Sequence, residues 1–191
     1  MMNRILLKLF TIVDQIRQNV YLTTAKKRGL QVGENTTFIG FTDFGSEPYL
    51  IEIGSNSRIT TGIRFITHDG GLFTVNNLKG YEDARSFARI KVGNNVFIGN
   101  NCILLPGSSI GNNCVLGAGS VLTGSMPDNC VYAGVPAKFI TSIEDYADRA
   151  LKNSTQYPRD LEKNRKDLDN YLKNNLPHHY KPVKTADIVN K

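Results

Sequence analysis

His68 is the only histidine ahead of the adjacent pair His178 and His179 near the C terminus. An imidazole titrates near neutral pH, so it can take a proton from a hydroxyl, which is a weak nucleophile at that pH. A base of this kind needs a neighbour that orients the ring and selects its tautomer. Two carboxylates are candidates: Glu47, 21 residues upstream, and Asp69, directly downstream. Neighbours in an extended strand point apart, which ranks Glu47 above Asp69. The three cysteines, Cys102, Cys114 and Cys130, contain no CxxC spacing, and an odd count argues against a disulfide framework.

Where these groups lie in space depends on a six-residue repeat. From Val92 the chain reads VGNNVF, IGNNCI, LLPGSS, IGNNCV, LGAGSV, LTGSMP. First positions are Val92, Ile98, Leu104, Ile110, Leu116 and Leu122; fifth positions are Val96, Cys102, Ser108, Cys114, Ser120 and Met126. The register continues upstream in VGENTT from Val32, FIGFTD from Phe38, IGSNSR from Ile53, ITTGIR from Ile59 and FITHDG from Phe65, and a degenerate VYAGVP starts at Val131. Neither the helical period of about 3.6 nor the strand period of two fits. A large aliphatic residue at every sixth position suits short strands on the flat faces of a triangular prism, with that side chain on the axis. The fifth position must be slim because it also points inward, near a corner, and Gly or Asn supplies the corner backbone. Three hexads make one coil of about 18 residues, and stacked coils share one core. The expected fold is an all-β solenoid, a left-handed parallel β-helix flanked by N- and C-terminal helices. Cys102 and Cys114 then become inward-facing fillers rather than reactive thiols.

Two interruptions break the register. About three extra residues lie between Phe44 and Ile53, and about 20 run from Asp69 to Lys91, with Phe73, Tyr81 and Phe87 among them. Solenoid insertions loop out at corners and often form a binding face. One coil plus the shorter insertion separates Glu47 from His68, so the two should stack. Residues 3–22 place Ile5, Leu9, Ile12, Ile16 and Val20 on one helical face. Ser142 with Asp145 resembles a capping box opening a helix to about Leu151, Pro158–Leu176 reads as a charged helix, and the segment from Pro177 reads as loose. The domain reading is a helical segment 1–30, the β-helix 31–140 with loop 69–91, and a helical extension and tail 141–191.

The chain of 191 residues has a net charge of +6, and it is uneven. Residues 1–30 carry six Lys/Arg and one acid, residues 31–137 six and eight, and residues 138–191 eleven and eight. The basic excess therefore lies in the ends, without the basic stripe and interleaved aromatics of a nucleic-acid binder. Ile5–Val13 is apolar but interrupted by Lys8, and no small-residue cleavage site follows, so no signal peptide is expected. Cytoplasmic localisation is the expectation.

The hexads, the THDGG segment and the closing YAGVPAK resemble the hexapeptide-repeat acetyltransferases over about residues 30–140. FGSEPYLIEIG and RFITHDGG resemble the members that act in capsule and O-antigen polysaccharide synthesis. The resemblance implies acetyl-CoA as co-substrate, a sugar or glycan acceptor, a homotrimer with sites in the grooves between prisms, and His68 as the base. It carries cofactor contacts onto Asn100, Ala118, Thr123 and Lys138. Gly124 and Thr141 depart from it, standing where many members have a basic residue, which implies either a weaker nucleotide site or one that recruits Lys152 or Arg149. N-acetylation of an amino sugar, acetylation of an antibiotic or serine, and a non-catalytic scaffold remain open as alternatives. A zinc-dependent carbonic anhydrase on the same fold needs three histidines, and the repeats hold one, so no metal is expected. For residues 3–22, packing on the trimer and peripheral contact with a membrane both remain open.

Overall fold

The computed structural model describes residues 2–176. Two compact units are present, one ending at Lys152 and one starting at Asn153. The first is built on three parallel sheets. Face one holds Gln31–Val32, Ile51–Ile53, Ile90–Val92, Ser109–Ile110 and Ser125–Met126. Face two holds Thr37–Phe38, Arg58–Ile59, Phe97–Ile98, Val115–Leu116 and Cys130–Ala133. Face three holds Thr42–Asp43, Ile63–Phe65, Ile103–Leu104 and Val121–Leu122. Successive strands visit faces one, two and three in rotation, so the chain winds as a three-sided parallel coil. Lys138–Ser142 closes it, antiparallel to Cys130–Ala133 on face two.

Strand pairing measures the interruptions directly. Lys91 pairs with Ser109, 18 positions on, which is an uninterrupted coil. Gln31 pairs with Glu52, 21 on, so three residues are inserted. Arg64 pairs with Ile103, 39 on, so the long loop adds 21. The last coil is short: Ser109 pairs with Ser125 and Ile110 with Met126, each 16 on. Met126 therefore occupies the first-position row with Ile53, Val92 and Ile110, not the fifth position expected from an unbroken count. Cys130 takes the fifth-position place instead, with its sulfur 3.8 Å from that of Cys114. The corner at Thr123–Gly124 is two residues tighter than its neighbours, and that shifts the register.

The axis is filled as the repeat requires. Ile59, Ile98 and Leu116 from face two and Phe65, Leu104 and Leu122 from face three are at most 2% exposed. Full burial of each such side chain contributes about 1.5–3 kcal/mol before entropy costs. At the corner between faces one and two, Asn35, Asn56, Asn95, Asn113 and Asn129 all have positive φ between 54° and 60°. Asn tolerates this left-handed backbone better than other side-chain-bearing residues. Their amides stack as well: Asn95 donates to Asn113 and Asn113 to Asn129, each at 2.9 Å.

Helix α1 (Met2–Lys27) lies over the open first coil. Gln18 and Ala25 are buried there, Tyr21 and Leu22 pack on the core, and the Tyr21 hydroxyl donates to Asp43 at 2.9 Å. This is not the face that the apolar periodicity singled out. Leu9, Ile12, Ile16 and Val20 are all at least half exposed. The open end of the prism needs a flat lid with polar anchors, and Gln18 and Tyr21 supply them.

A four-residue helix, α2 (Leu72–Val75), lies in the long loop. Helix α3 (Ile143–Lys152) starts where expected, with the Ser142 hydroxyl accepting from the Asp145 N–H at 3.0 Å. In the second unit the expected Pro158–Leu176 helix is divided. A 3-10 turn covers Arg159–Lys163 and α4 covers Arg165–Asn175. Asn164 adopts an extended backbone and its side chain accepts from the Lys166 N–H at 3.1 Å, so it caps a new helix and ends the turn before it. The segment from Pro177 lies outside the described residues.

Candidate active site

The corner between faces three and one receives both insertions. The first carries Glu47 into the 3-10 turn Pro48–Leu50, whose Pro48 is buried. One coil further, Thr67 and His68 leave face three at the same corner. The pairing of Thr42 with Ile63, 21 positions on, matches the separation of Glu47 from His68 and sets them one above the other. His68 Nδ1 lies 2.9 Å from Glu47 Oε2. The Thr67 hydroxyl donates to the same carboxylate oxygen at 2.7 Å. Thr67 itself is buried.

Exposure differs across this pair. The Glu47 side chain is 13% exposed and the His68 side chain 41%. Partial burial resists ionisation of Glu47, but hydrogen bonds from Thr67, Ser46 and His68 outweigh it and hold the carboxyl below its ordinary range. An ionised Glu47 can only accept a hydrogen bond, so Nδ1 carries the N–H that donates to it, and the lone pair of a neutral ring then lies on Nε2. The ring is therefore oriented by a largely buried carboxylate while its other nitrogen is available.

The long loop returns beside His68. The backbones of His68 and Phe87 form an antiparallel bridge, flanked by Ala88 N–H donating to Thr67 O at 2.8 Å and Asp69 N–H donating to Ser86 O at 3.1 Å. The Phe87 ring lies 5.9 Å from the imidazole, tilted by 53°. Phe73, Tyr81 and Phe87 are exposed. The Asp69 carboxylate accepts from the Gly71 N–H at 2.9 Å, two residues into the loop, and its hydrogen bond is to that backbone rather than to the imidazole.

The residues carried over as cofactor contacts fall on two edges of the prism. Asn100 and Ala118 share the corner between faces two and three in adjoining coils, joined by Gly119 N–H to Asn100 O at 2.8 Å. Packing there is close: a Cβ at Gly99 would lie 2.5 Å from the Ala118 nitrogen. Lys138 ends the same edge. It follows Ala137, whose N–H donates to Val121 O, and pairs with Ala133. Thr123 sits at the corner between faces three and one, the edge of Glu47 and His68, two coils further on. All four are exposed. One chain thus brings Glu47 to His68 and keeps Asn100, Ala118 and Lys138 on another edge. Thr67 was not singled out from the sequence; its only signal is a buried polar residue beside the histidine.

Residues 89–124 match the family described as bacterial transferase hexapeptide, six repeats. Protein CapG of Staphylococcus aureus is 45% identical over 161 residues, covering 83% of this chain and 91% of CapG. Galactoside O-acetyltransferase of Escherichia coli (strain K12) is 37% identical over 99 residues, covering 52% of this chain and 47% of that protein. WbbJ of the same strain, named for lipopolysaccharide biosynthesis O-acetyl transfer, is 36% identical over 96 residues, covering 47% and 49%. The chain spans nearly all of CapG but about half the length of the other two. With its six-residue repeat, its three-sided parallel coil and this relationship to CapG over nearly its whole length, the chain belongs to the hexapeptide-repeat acetyltransferase superfamily.

Proposed function

We propose that the protein transfers the acetyl group of acetyl-CoA to a hydroxyl of a sugar or polysaccharide precursor in the cytoplasm, with His68 as general base and Glu47 as its orienter. The observation that carries this reading is the Glu47–His68 pair, at 2.9 Å, on an imidazole that remains 41% exposed. The acceptor hydroxyl approaches Nε2 and gives up its proton there as its oxygen becomes nucleophilic. Glu47 stabilises the positive ring that results, and the ring returns the proton to the leaving sulfur. When bound, acetyl-CoA supplies a thioester carbonyl at which an alcohol oxygen can attack. The names of the galactoside and lipopolysaccharide relatives support a sugar hydroxyl as the acceptor.

The residues present fit such a co-substrate. Ala118 projects only a methyl group from an exposed corner, and the exposed Asn100 stands beside it in the adjoining coil, so a pantetheine arm would meet little steric hindrance along that edge. Lys138 offers a point charge to phosphate at the end of that edge. Thr123 lies on the His68 edge. A left-handed coil assembled as a homotrimer would place the His68 edge of one copy against the Asn100–Ala118 edge of the next, which accounts for their separation within one chain.

Replacing His68 with Ala tests the reading. Release of CoA from acetyl-CoA, followed against a panel of sugars, sugar nucleotides and oligosaccharides, should fall about 10²–10⁴-fold in kcat with the best acceptor. Full turnover by the variant would remove His68 from the chemistry.

A further inference from the structure

Helix α1 covers the first coil with one face and leaves the opposite face bare. Leu6, Leu9, Phe10, Ile12, Val13, Ile16 and Val20 are each 45–67% exposed. At 100° per residue these side chains occupy a sector of about 160°, centred about 150° from the direction of Gln18, Tyr21, Leu22 and Ala25. Within this sector, along residues 6–20, only Arg17 is charged; it lies near one edge, and its guanidinium turns onto the Phe41 ring at 4.4 Å. An apolar face this broad, turned away from the chain's own core, calls for a partner.

From this surface we infer that α1 docks the protein onto an anionic phospholipid surface, lying in the plane of the interface. Charge decides the occupant. Residues 2–28 carry six Lys/Arg against the single acid Asp14. Parallel α1 helices from several copies would bring those like charges together, whereas anionic head groups complement them. The width of the sector points the same way. A coiled-coil seam is a narrow stripe sustained over three or four heptads, while this face is broad, ends by Val20 and includes Phe10, the pattern of an interfacial helix. Among the described residues no helix is long and apolar enough to cross a membrane, so the contact is with the surface.

Lipid docking does not depend on acetyl transfer, and the test keeps the two separate. The full-length protein is sedimented with vesicles of phosphatidylcholine alone and with vesicles in which about a third of the lipid is phosphatidylglycerol. It should partition into the anionic vesicles about tenfold more strongly than into the neutral ones, and high salt should weaken that partition. The double substitution Leu9→Glu with Ile16→Glu should abolish it while leaving the mass in solution and the unfolding temperature unchanged, because both positions face solvent. Failure of the wild-type protein to bind anionic vesicles, or equal binding by the double variant, would overturn the inference. A lower oligomeric mass for the double variant would also overturn it, by assigning the face to a second copy.

Discussion

Glu47 shows how two small polar contacts set the state of a third group. Its carboxylate takes hydrogen bonds from Thr67 and His68 on one oxygen, and its pKa is lowered for that reason against the opposing effect of burial. A lowered carboxyl pKa stabilises the fold above the ordinary carboxylate range, and this contribution disappears as pH falls through the lowered value. Glu47→Gln should therefore flatten the acid side of the unfolding temperature measured against pH. In the proposed mechanism the same substitution removes the negative charge facing the imidazolium, so kcat should fall roughly ten- to a hundredfold with KM for acetyl-CoA unchanged. An unaltered kcat would show that Glu47 serves the fold and not the base. His68 was legible as a candidate because the repeat contains no other histidine, and Glu47 because one coil and three inserted residues separate them. Thr67 was not legible, since its hydroxyl matters only once the carboxylate is overhead.

At the scale of elements, the repeat is held by corners as much as by the core. The left-handed asparagines at one edge carry a backbone that a β-branched residue resists. Asn113→Val, in the middle of that ladder, should lower stability by about 1–2 kcal/mol, read as a shifted denaturation midpoint, and two broken amide contacts should add to it. An unchanged midpoint would mean that the corner tolerates any side chain. The last coil marks the limit of counting along the sequence. LTGSMP reads as a full hexad, yet Met126 pairs with Ile110, because a two-residue corner at Thr123–Gly124 closes the turn early. A period predicts where strands recur, but the number of residues a corner consumes is settled by which side chain reaches the axis. Helix α1 gives a parallel lesson. Its apolar periodicity was legible, but the face that packs was not, because the top of the prism offers Thr42 and Asp43 and selects Gln18 and Tyr21 as partners.

At the scale of the molecule, His68 and the Asn100–Ala118 edge belong to different sides of one prism, so the proposed site is complete only between copies. Two defective chains should then complement each other. His68→Ala and Ala118→Trp are each expected to be inactive alone, the second by filling the cofactor edge, while their co-expressed mixture should recover a measurable fraction of acetyl-CoA turnover. Mixed assemblies contain grooves with an intact His68 from one chain and an intact Ala118 edge from the other. Light scattering should give the mass of three chains, and an active monomer would sink the shared-site reading. The amino-acid sequence by itself determined the period, the three-sided coil, the size of both insertions and the stacking of Glu47 on His68, because a solenoid turns distance along the chain into height along an axis. Tertiary structure alone decided the short last coil, the hydroxyl of Thr67 on Glu47 and the bare apolar face of α1. Each depends on which surfaces meet after the coils have stacked, and a repeat that looks alike at every turn does not record that.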